Sequence, residues 1–137
     1  MMHRRAVPVP AIAAPRGHYS HAVVAQGRTL YVAGQVPVDA DGAVVGSDAA
    51  TQARQVLSNL RAVLEAASAT LDDVVRTTVY LTNLDDRAAV GEVRRAHFAG
   101  DPPANTLLVV AGLADPRYLV EIDAIAVLPE DGHADGP

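Results

Sequence analysis

The fold is decided by the stretch YLVEIDAIAVL, residues 118–128, in which most positions are apolar. Successive side chains of a strand point to opposite faces of a sheet. The even-numbered residues therefore share one face, while Glu121 and Asp123 share the other with Ile125. Both faces are substantially apolar, so the pattern predicts a strand that is covered on both sides.

The rest of the chain predicts a sheet with two helices on one face. The β-prone runs 19–25 and 28–36 have a spacing typical of a hairpin. Further strands are predicted over 74–81 and 106–111, and helices are predicted after Ser47 or Asp48 and after the capping segment 83–86. The order ββαβαββ indicates an α+β domain. The chain offers no third layer for the second sheet face, so a partner subunit is expected to cover it.

Both predicted helices are amphipathic. In the first, apolar residues recur at steps of three and four, and the polar face is predicted to be solvated; it carries Gln52, Arg54, Gln55, Arg61 and Glu65. In the second helix, Ala89, Val93 and Ala96 are predicted to face the core.

Composition excludes several classes of chemistry. The chain has 137 residues, is half hydrophobic and carries a formal charge of -5, with eleven arginines, no lysine and no cysteine. Lysine Schiff bases, thiolate nucleophiles, disulfides and thiolate metal sites are therefore excluded. The acidic balance, without any basic run, disfavours a nucleic-acid partner.

The termini are predicted to lie outside the domain. Residues 1–16 are interpreted as a flexible arm of a cytoplasmic protein without a membrane partner, because Pro8, Pro10 and Pro15 interrupt any helical signal segment. Residues 17–128 form the single domain, and the tail 129–137 is predicted to be disordered.

Two carboxylates are the clearest candidates for chemistry. Glu121 and Asp123 lie two residues apart on one strand face, with Cα atoms about 6.6 to 7 Å apart. Such neighbours raise one another's pKa and can act as acid/base groups. The alternative is a pair of interface carboxylates bonded to backbone amides or to arginine.

The histidines and two further residues have structural alternatives. No metal-binding histidine spacing is present. His97 is predicted to be partly buried at a helix end, and His18 and His21 to lie at the surface. From the sequence pattern a tyrosine such as Tyr19 is more often a packing residue than a catalyst, and Gly34 is typical either of a bulge or of close approach by a ligand.

Four motifs carry a family resemblance: GHYS at 17–20, LYVAGQVP at 30–37, PPANTLLVV at 102–110 and VEIDAIA at 120–126. Together they resemble the RidA/YjgF family of enamine/imine deaminases, also labelled endoribonuclease L-PSP. The resemblance implies a chorismate-mutase-like homotrimeric barrel with small-molecule clefts between subunits, no cofactor and no metal. It implies hydrolysis of reactive imines or enamines to 2-keto acids and ammonia.

The resemblance also implies site residues. Tyr19 and Glu121 would be catalytic, with Glu121 orienting the attacking water; the substrate-binding residues would be Gly34, Gly91, Asn105 and Thr106. Two of these positions depart from the family pattern.

Gly91 stands where an asparagine is frequent, and Asn105 where an arginine usually holds the substrate carboxylate. Arg94, Arg95 or Arg117 are candidates to replace that arginine, although Arg94 and Arg95 are predicted to lie on an exposed helix face.

Three functions remain open. The chain is interpreted as a hydrolase for a small imine, enamine or related carbonyl compound whose specificity is altered by Asn105. One alternative is a 2-iminobutanoate or 2-aminoacrylate deaminase with a relocated arginine. The other is a trimeric binding or regulatory protein without catalysis.

Overall fold

A computed structural model describes residues 3–130 of the chain. Its regular elements are, in order, β1 Arg4–Ala6, β2 Val23–Ala25, β3 Arg28–Gln35, α1 Ala49–Ala66, β4 Val74–Leu81, α2 Arg87–His97, β5 Ala104–Val109 and β6 Val120–Leu128. Short 3-10 helices at Leu71–Asp73 and Leu84–Asp86 precede β4 and α2.

The main sheet has four strands in the order β3-β6-β4-β5. β4 and β5 are parallel, and the other pairs are antiparallel. The even-numbered residues of β6 are buried in the core that α1 and α2 complete, while Glu121, Asp123 and Ile125 are half-buried on the opposite face. The mixed sheet with two helices confirms the predicted α+β fold.

The second sheet face is not covered by a helix among residues 3–130. Tyr31 on β3 and Leu108 on β5 are large exposed side chains on this face. We call it the open face, and the opposite one the helix face.

Helix α1 begins where the sequence predicts. Asp48 is its N-cap and accepts a hydrogen bond from the Thr51 N–H at 2.8 Å. The prediction of a solvated polar face is wrong for Gln52, which is fully buried. Its Nε2 donates to the carbonyls of Gly46 and Arg117, and its Oε1 accepts from the Leu119 N–H. These bonds satisfy the amide and tie α1 to the loop before β6.

Helix α2 turns only one of its three predicted residues, Val93, to the core. Val90, Val93 and Arg94 are buried, whereas Ala89 and Ala96 are exposed. Positions 90, 93 and 94 follow the i, i+3, i+4 spacing of a single helical face. The prediction that Arg94 is exposed is therefore wrong, while Arg95 is exposed as expected.

The predicted hairpin between the first two strands does not form. β3 pairs with β6, whereas β2 pairs with β1 in a separate two-stranded sheet. The two strands part at Gly27, which has φ of 149° and packs so closely on the Leu128 carbonyl that a Cβ would collide with it.

Part of the segment expected to be a flexible arm is β1 itself. His3 Nε2 lies 2.7 Å from the Val127 carbonyl oxygen and 3.1 Å from Asp73 Oδ1. Arg4 Nε donates to the Val74 carbonyl at 2.9 Å. Of the predicted disordered tail, residues 131–137 lie outside the described part of the chain.

Candidate functional site

A cavity of about 780 Å³ opens on the helix side of the β5 edge. It is lined by Tyr19, by Gly91 and Arg94 of α2, and by Asn105 and Leu107 of β5. The cavity has space beside Gly91, because no atom lies within 4 Å of the place where a Cβ would stand.

The loop before β2 is fastened to the start of β5. The Ser20 hydroxyl donates to the Pro102 carbonyl at 2.6 Å, and the Ser20 N–H donates to the Pro103 carbonyl at 3.1 Å. Proline fixes its own φ, so Pro102 and Pro103 present a rigid backbone to these donors. Tyr19 and Asn105 are thereby held at the same cavity.

A chain of hydrogen bonds orients Asn105. Arg94 Nη2 donates to Thr77 Oγ1 at 3.1 Å, and the Thr77 hydroxyl donates to Asn105 Oδ1 at 2.7 Å. A guanidinium is only a donor, so the Thr77 oxygen accepts from it and sends its own proton to the amide oxygen. Asn105 Nδ2 has no acceptor among residues 3–130, and its two N–H groups are free.

Arg94 is a buried cation without a described anionic partner. Its side chain is 4% exposed, and within residues 3–130 it forms no ion pair. Nη1 donates to the His18 carbonyl at 3.0 Å, and the guanidinium carbon lies 5.5 Å from the centre of the Phe98 ring. Nε is buried without an acceptor in this part of the chain. Burial lowers the pKa of Arg94 to about 10, so it is charged at neutral pH.

The other ionisable side chains give the cavity a positive balance. Arg16, Arg87 and Arg95 line it together with Arg94, against two carboxylates, Asp85 and Glu92. Arg95 Nε lies 4.0 Å from Glu92 Oε2. This excess of cations in a chain of charge -5 indicates a site suited to an anion.

Tyr19 and its neighbours are held mainly by backbone contacts. The Tyr19 hydroxyl accepts from the Arg16 N–H at 3.3 Å, and its ring meets His21 edge to face. His18 Nε2 lies 2.6 Å from the Phe98 carbonyl oxygen, so His18 is half-buried rather than at the surface as predicted. His97 is partly buried at the end of α2, as predicted.

A second group of polar residues lies on the open face. The register between β3 and β6 shifts between Val32 and Gln35, which confirms a bulge around Gly34. The Glu121 carboxylate packs on Gly34 so closely that a Cβ there would collide with it. Glu121 accepts no hydrogen bond from residues 3–130, and burial, with a smaller contribution from Asp123, raises its pKa.

Asp123 and Thr106 on the same face have partners. The Tyr80 hydroxyl donates to Asp123 Oδ2 at 2.8 Å, and this bond raises the pKa of Tyr80. Arg76 Nη2 donates to Thr106 Oγ1 at 3.1 Å. Glu121 is thus the carboxylate of the pair that stays available for a water molecule.

The described residues contain no group of three or more His, Asp or Glu side chains placed to hold a metal ion. In the same range, no helix is both long enough and apolar enough to cross a membrane.

Comparison with known proteins places the chain in a family. Residues 10–128 match the family described as endoribonuclease L-PSP. The chain belongs to this family. Its curated relatives include a RutC family protein of Pyrococcus horikoshii, 43% identical over 82% of this chain and 88% of the relative. Another is the 2-iminobutanoate/2-iminopropanoate deaminase of Rattus norvegicus, 38% identical over 90% of each chain.

The solved structures agree with this assignment. A Rid family protein of unknown function from Yersinia pestis superposes with a TM-score of 0.81, at 39% identity over 93% of this chain and all of the other. RidA from a Psychrobacter species superposes with a TM-score of 0.71, at 34% identity over 90% of this chain and 99% of the other.

The residues carried over from the Rid family divide between the two faces of the sheet. Tyr19, Gly91 and Asn105 line the cavity on the helix side. Gly34, Thr106 and Glu121 lie on the open face, where Glu121 packs on Gly34.

Thr77, which donates to Asn105, was not among the predicted site residues, whereas Arg94 was a predicted candidate to replace the family arginine. The alternation of β4 offered a signal for Thr77, because it shares a strand face with the buried Val79 and Leu81. The burial of Arg94 was indicated by its spacing of four residues from the apolar Val90.

Proposed function

We propose that this Rid protein is a cofactor-independent hydrolase that deaminates a small imine or enamine in clefts between copies of the chain. The observation that carries the proposal is Glu121, a carboxylate with a raised pKa and no described hydrogen-bond donor, which lies against the backbone of Gly34. Family membership and the deaminase activity named for the rat and mouse relatives support it.

Imine hydrolysis asks for few groups from the protein. Water adds to the carbon of the C=N bond, the nitrogen takes up protons, and ammonia leaves as the C=O bond of the product forms. A carboxylate with free lone pairs can orient the water and accept its proton. Glu121 has the free lone pairs that this role requires. An enamine enters the same route once its carbon is protonated to give the imine.

The proposed site needs a second copy of the chain. Asn105 and Glu121 lie on opposite faces of one sheet, with β4 between their strands, so they cannot contact the same small molecule within one copy. A ring of copies that sets the β5 edge of one against the open face of the next would join the two groups. The exposed Tyr31 and Leu108 supply apolar surface for such a contact.

We therefore propose a homotrimer, the closed assembly that the family resemblance implies. Light scattering after gel filtration should give a mass of about three chains. A stable monomer at micromolar concentration would contradict both the assembly and the shared cleft.

The activity is tested with an imine made in situ. Threonine dehydratase releases an unstable enamine that becomes 2-iminobutanoate, and its decay is followed with and without the protein. Wild type should accelerate the decay, and Glu121→Gln should not. Arg61→Met, an exposed change on α1, is the matched control and should match wild type.

A binding protein without catalysis is the second candidate, and the observation that favours it is the pair of departures at Gly91 and Asn105. It predicts that wild type binds a small carbonyl compound without accelerating imine decay. Equal decay with wild type and with Glu121→Gln, together with measurable binding of 2-oxobutanoate, would select it over the hydrolase.

A further inference from the structure

We propose that Arg94 and Thr77 are positioning and specificity-determining residues, which make Asn105 the contact for a small carboxylate ligand. Asn105 contacts the ligand directly. The positive charge that attracts the ligand is on Arg94, which is linked to Asn105 through the Thr77 hydroxyl. The inference rests on the proposed function for the reaction that the ligand undergoes, and its binding claim is tested separately.

The hydrogen-bond chain fixes which end of the amide faces the cavity. Asn105 Oδ1 is occupied by the Thr77 hydroxyl at 2.7 Å, and that hydroxyl is oriented by Arg94 Nη2 at 3.1 Å. The amide of Asn105, which lines the cavity, therefore keeps both N–H donors free, while one lone pair of its oxygen is already in use. Two free donors favour a ligand rich in acceptors, and a carboxylate has two acceptor oxygens.

The positive charge of Arg94 also favours a carboxylate ligand over a neutral one. A carboxylate on Asn105 Nδ2 lies roughly 6 to 8 Å from the guanidinium, given the two hydrogen bonds between them. At an effective dielectric constant of about 20 this attraction favours an anion over a neutral ligand of the same shape by at least about tenfold. The excess of arginines around the cavity adds to it.

A purely structural Arg94 makes a different prediction. Its bonds to the His18 carbonyl and to Thr77 link α2 to the preceding loop and to β4. However, Nε is buried without a described acceptor, and the charge has no described carboxylate partner. A buried charge without an ion-pair partner carries a desolvation cost that an apolar side chain of similar length would avoid. A role in ligand binding explains why the cation is present.

The test compares two stable probes of equal size. Calorimetry measures the Kd of 2-oxobutanoate and of the neutral 2-oxobutanamide for the full-length protein. Wild type should prefer the carboxylate by at least about tenfold. Arg94→Met should lose that preference while binding the amide as before, and its Tm should be unchanged or higher.

Variants of Thr77 provide an independent test of the same proposal. Thr77→Val keeps the shape but removes the hydroxyl that joins Arg94 to Asn105, so it should reduce the preference severalfold. Thr77→Ser keeps the hydroxyl and should restore it. Arg61→Met on the exposed face of α1 should leave both Kd values unchanged.

Two outcomes would overturn the inference: no preference for the carboxylate in wild type, or an undiminished preference in folded Arg94→Met. If Arg94→Met does not fold, an undiminished carboxylate preference in Thr77→Val would also overturn the inference. Imine hydrolysis without a carboxylate preference would overturn this inference alone. A carboxylate preference without imine hydrolysis would overturn the proposed function alone.

Discussion

The two faces of the main sheet carry opposite kinds of polar chemistry. On the helix side, Arg94, Thr77 and Asn105 form a buried chain of hydrogen bonds that ends in free N–H donors. On the open face, Glu121 is half-buried, has a raised pKa and accepts no described hydrogen bond, and it lies beside Asp123 and Gly34. One face presents free donors near a buried cation, and the other presents a carboxylate without a described donor.

The separation of these groups has a physical consequence. A guanidinium and a carboxylate that meet in one cleft form a bidentate pair, which neutralises both. Because Arg94 and Glu121 face away from each other across the sheet, neither can satisfy the other within one copy. Within residues 3–130 both stay without an ion-pair partner, at the cost of some stability.

The largest expected effect falls on the open face. Glu121→Gln removes the carboxylate that we propose as the acceptor of the proton of water, so turnover of the in-situ imine should fall by at least about a hundredfold. Binding of 2-oxobutanoate should be no weaker, because the change removes a negative charge from the proposed cleft. Unchanged turnover would show that another group activates the water.

Gly34→Ala should have the second largest effect on turnover. The new Cβ collides with the Glu121 carboxylate, which is flexible enough to move aside without unfolding the sheet. Displacing Glu121 by about 1 Å should lower kcat between about ten- and a hundredfold. Gly112→Ala is the matched control, because its Cβ enters open space away from the cavity lining; an equal loss in both variants would contradict the role of Gly34.

Moving the positive charge from Arg94 to position 105 tests whether the two positions interact on the helix side. Asn105→Arg alone sets a second guanidinium close to Arg94 with no described carboxylate between them, so it should lower the free energy of unfolding by about 1 to 2 kcal/mol. Asn105→Arg combined with Arg94→Met removes the repulsion and should restore it. Urea unfolding of the two single variants and the double variant measures the coupling. Simple additivity would mean that the two positions do not interact.

The smallest effect concerns pH. Burial first, and Asp123 second, raise the pKa of Glu121, whose active form is the carboxylate. Activity should therefore fall with decreasing pH at a value above the usual glutamate range. Asp123→Asn removes the second cause, so this acid limb should move to lower pH, by less than about one unit. A shift to higher pH would contradict the sign of the Asp123 contribution.

How far the sequence predicts this molecule depends on how local each signal is. β4 begins and ends where its alternation indicates, at Val74 and Leu81, and the cap of α1 at Asp48 is confirmed. Both depend on neighbours within a few residues. The hairpin was wrong, and the inner face of α2 was wrong for Ala89 and Ala96 although right for Val93, because the partners that decide these features are distant in sequence. Alanines such as Ala89 and Ala96 fit either side of a helix.

The buried polar residues show the same limit. Gln52 and Arg94 carry polar side chains that were predicted to face solvent, and each is buried where distant groups accept or donate its hydrogen bonds. Polar burial is acceptable only where such partners are present. The partners of Gln52 lie 65 and 67 residues away, and no local pattern announces them.

The sequence by itself determined the α+β class, the family and the departure at Asn105, since these are carried by local alternation, caps and short motifs. Only the tertiary structure decided that Asn105 and Glu121 lie on opposite faces, and that Arg94 stands behind Asn105. The reason is that strand pairing and helix rotation fix the direction of each side chain. Both are set by packing between segments far apart in the chain.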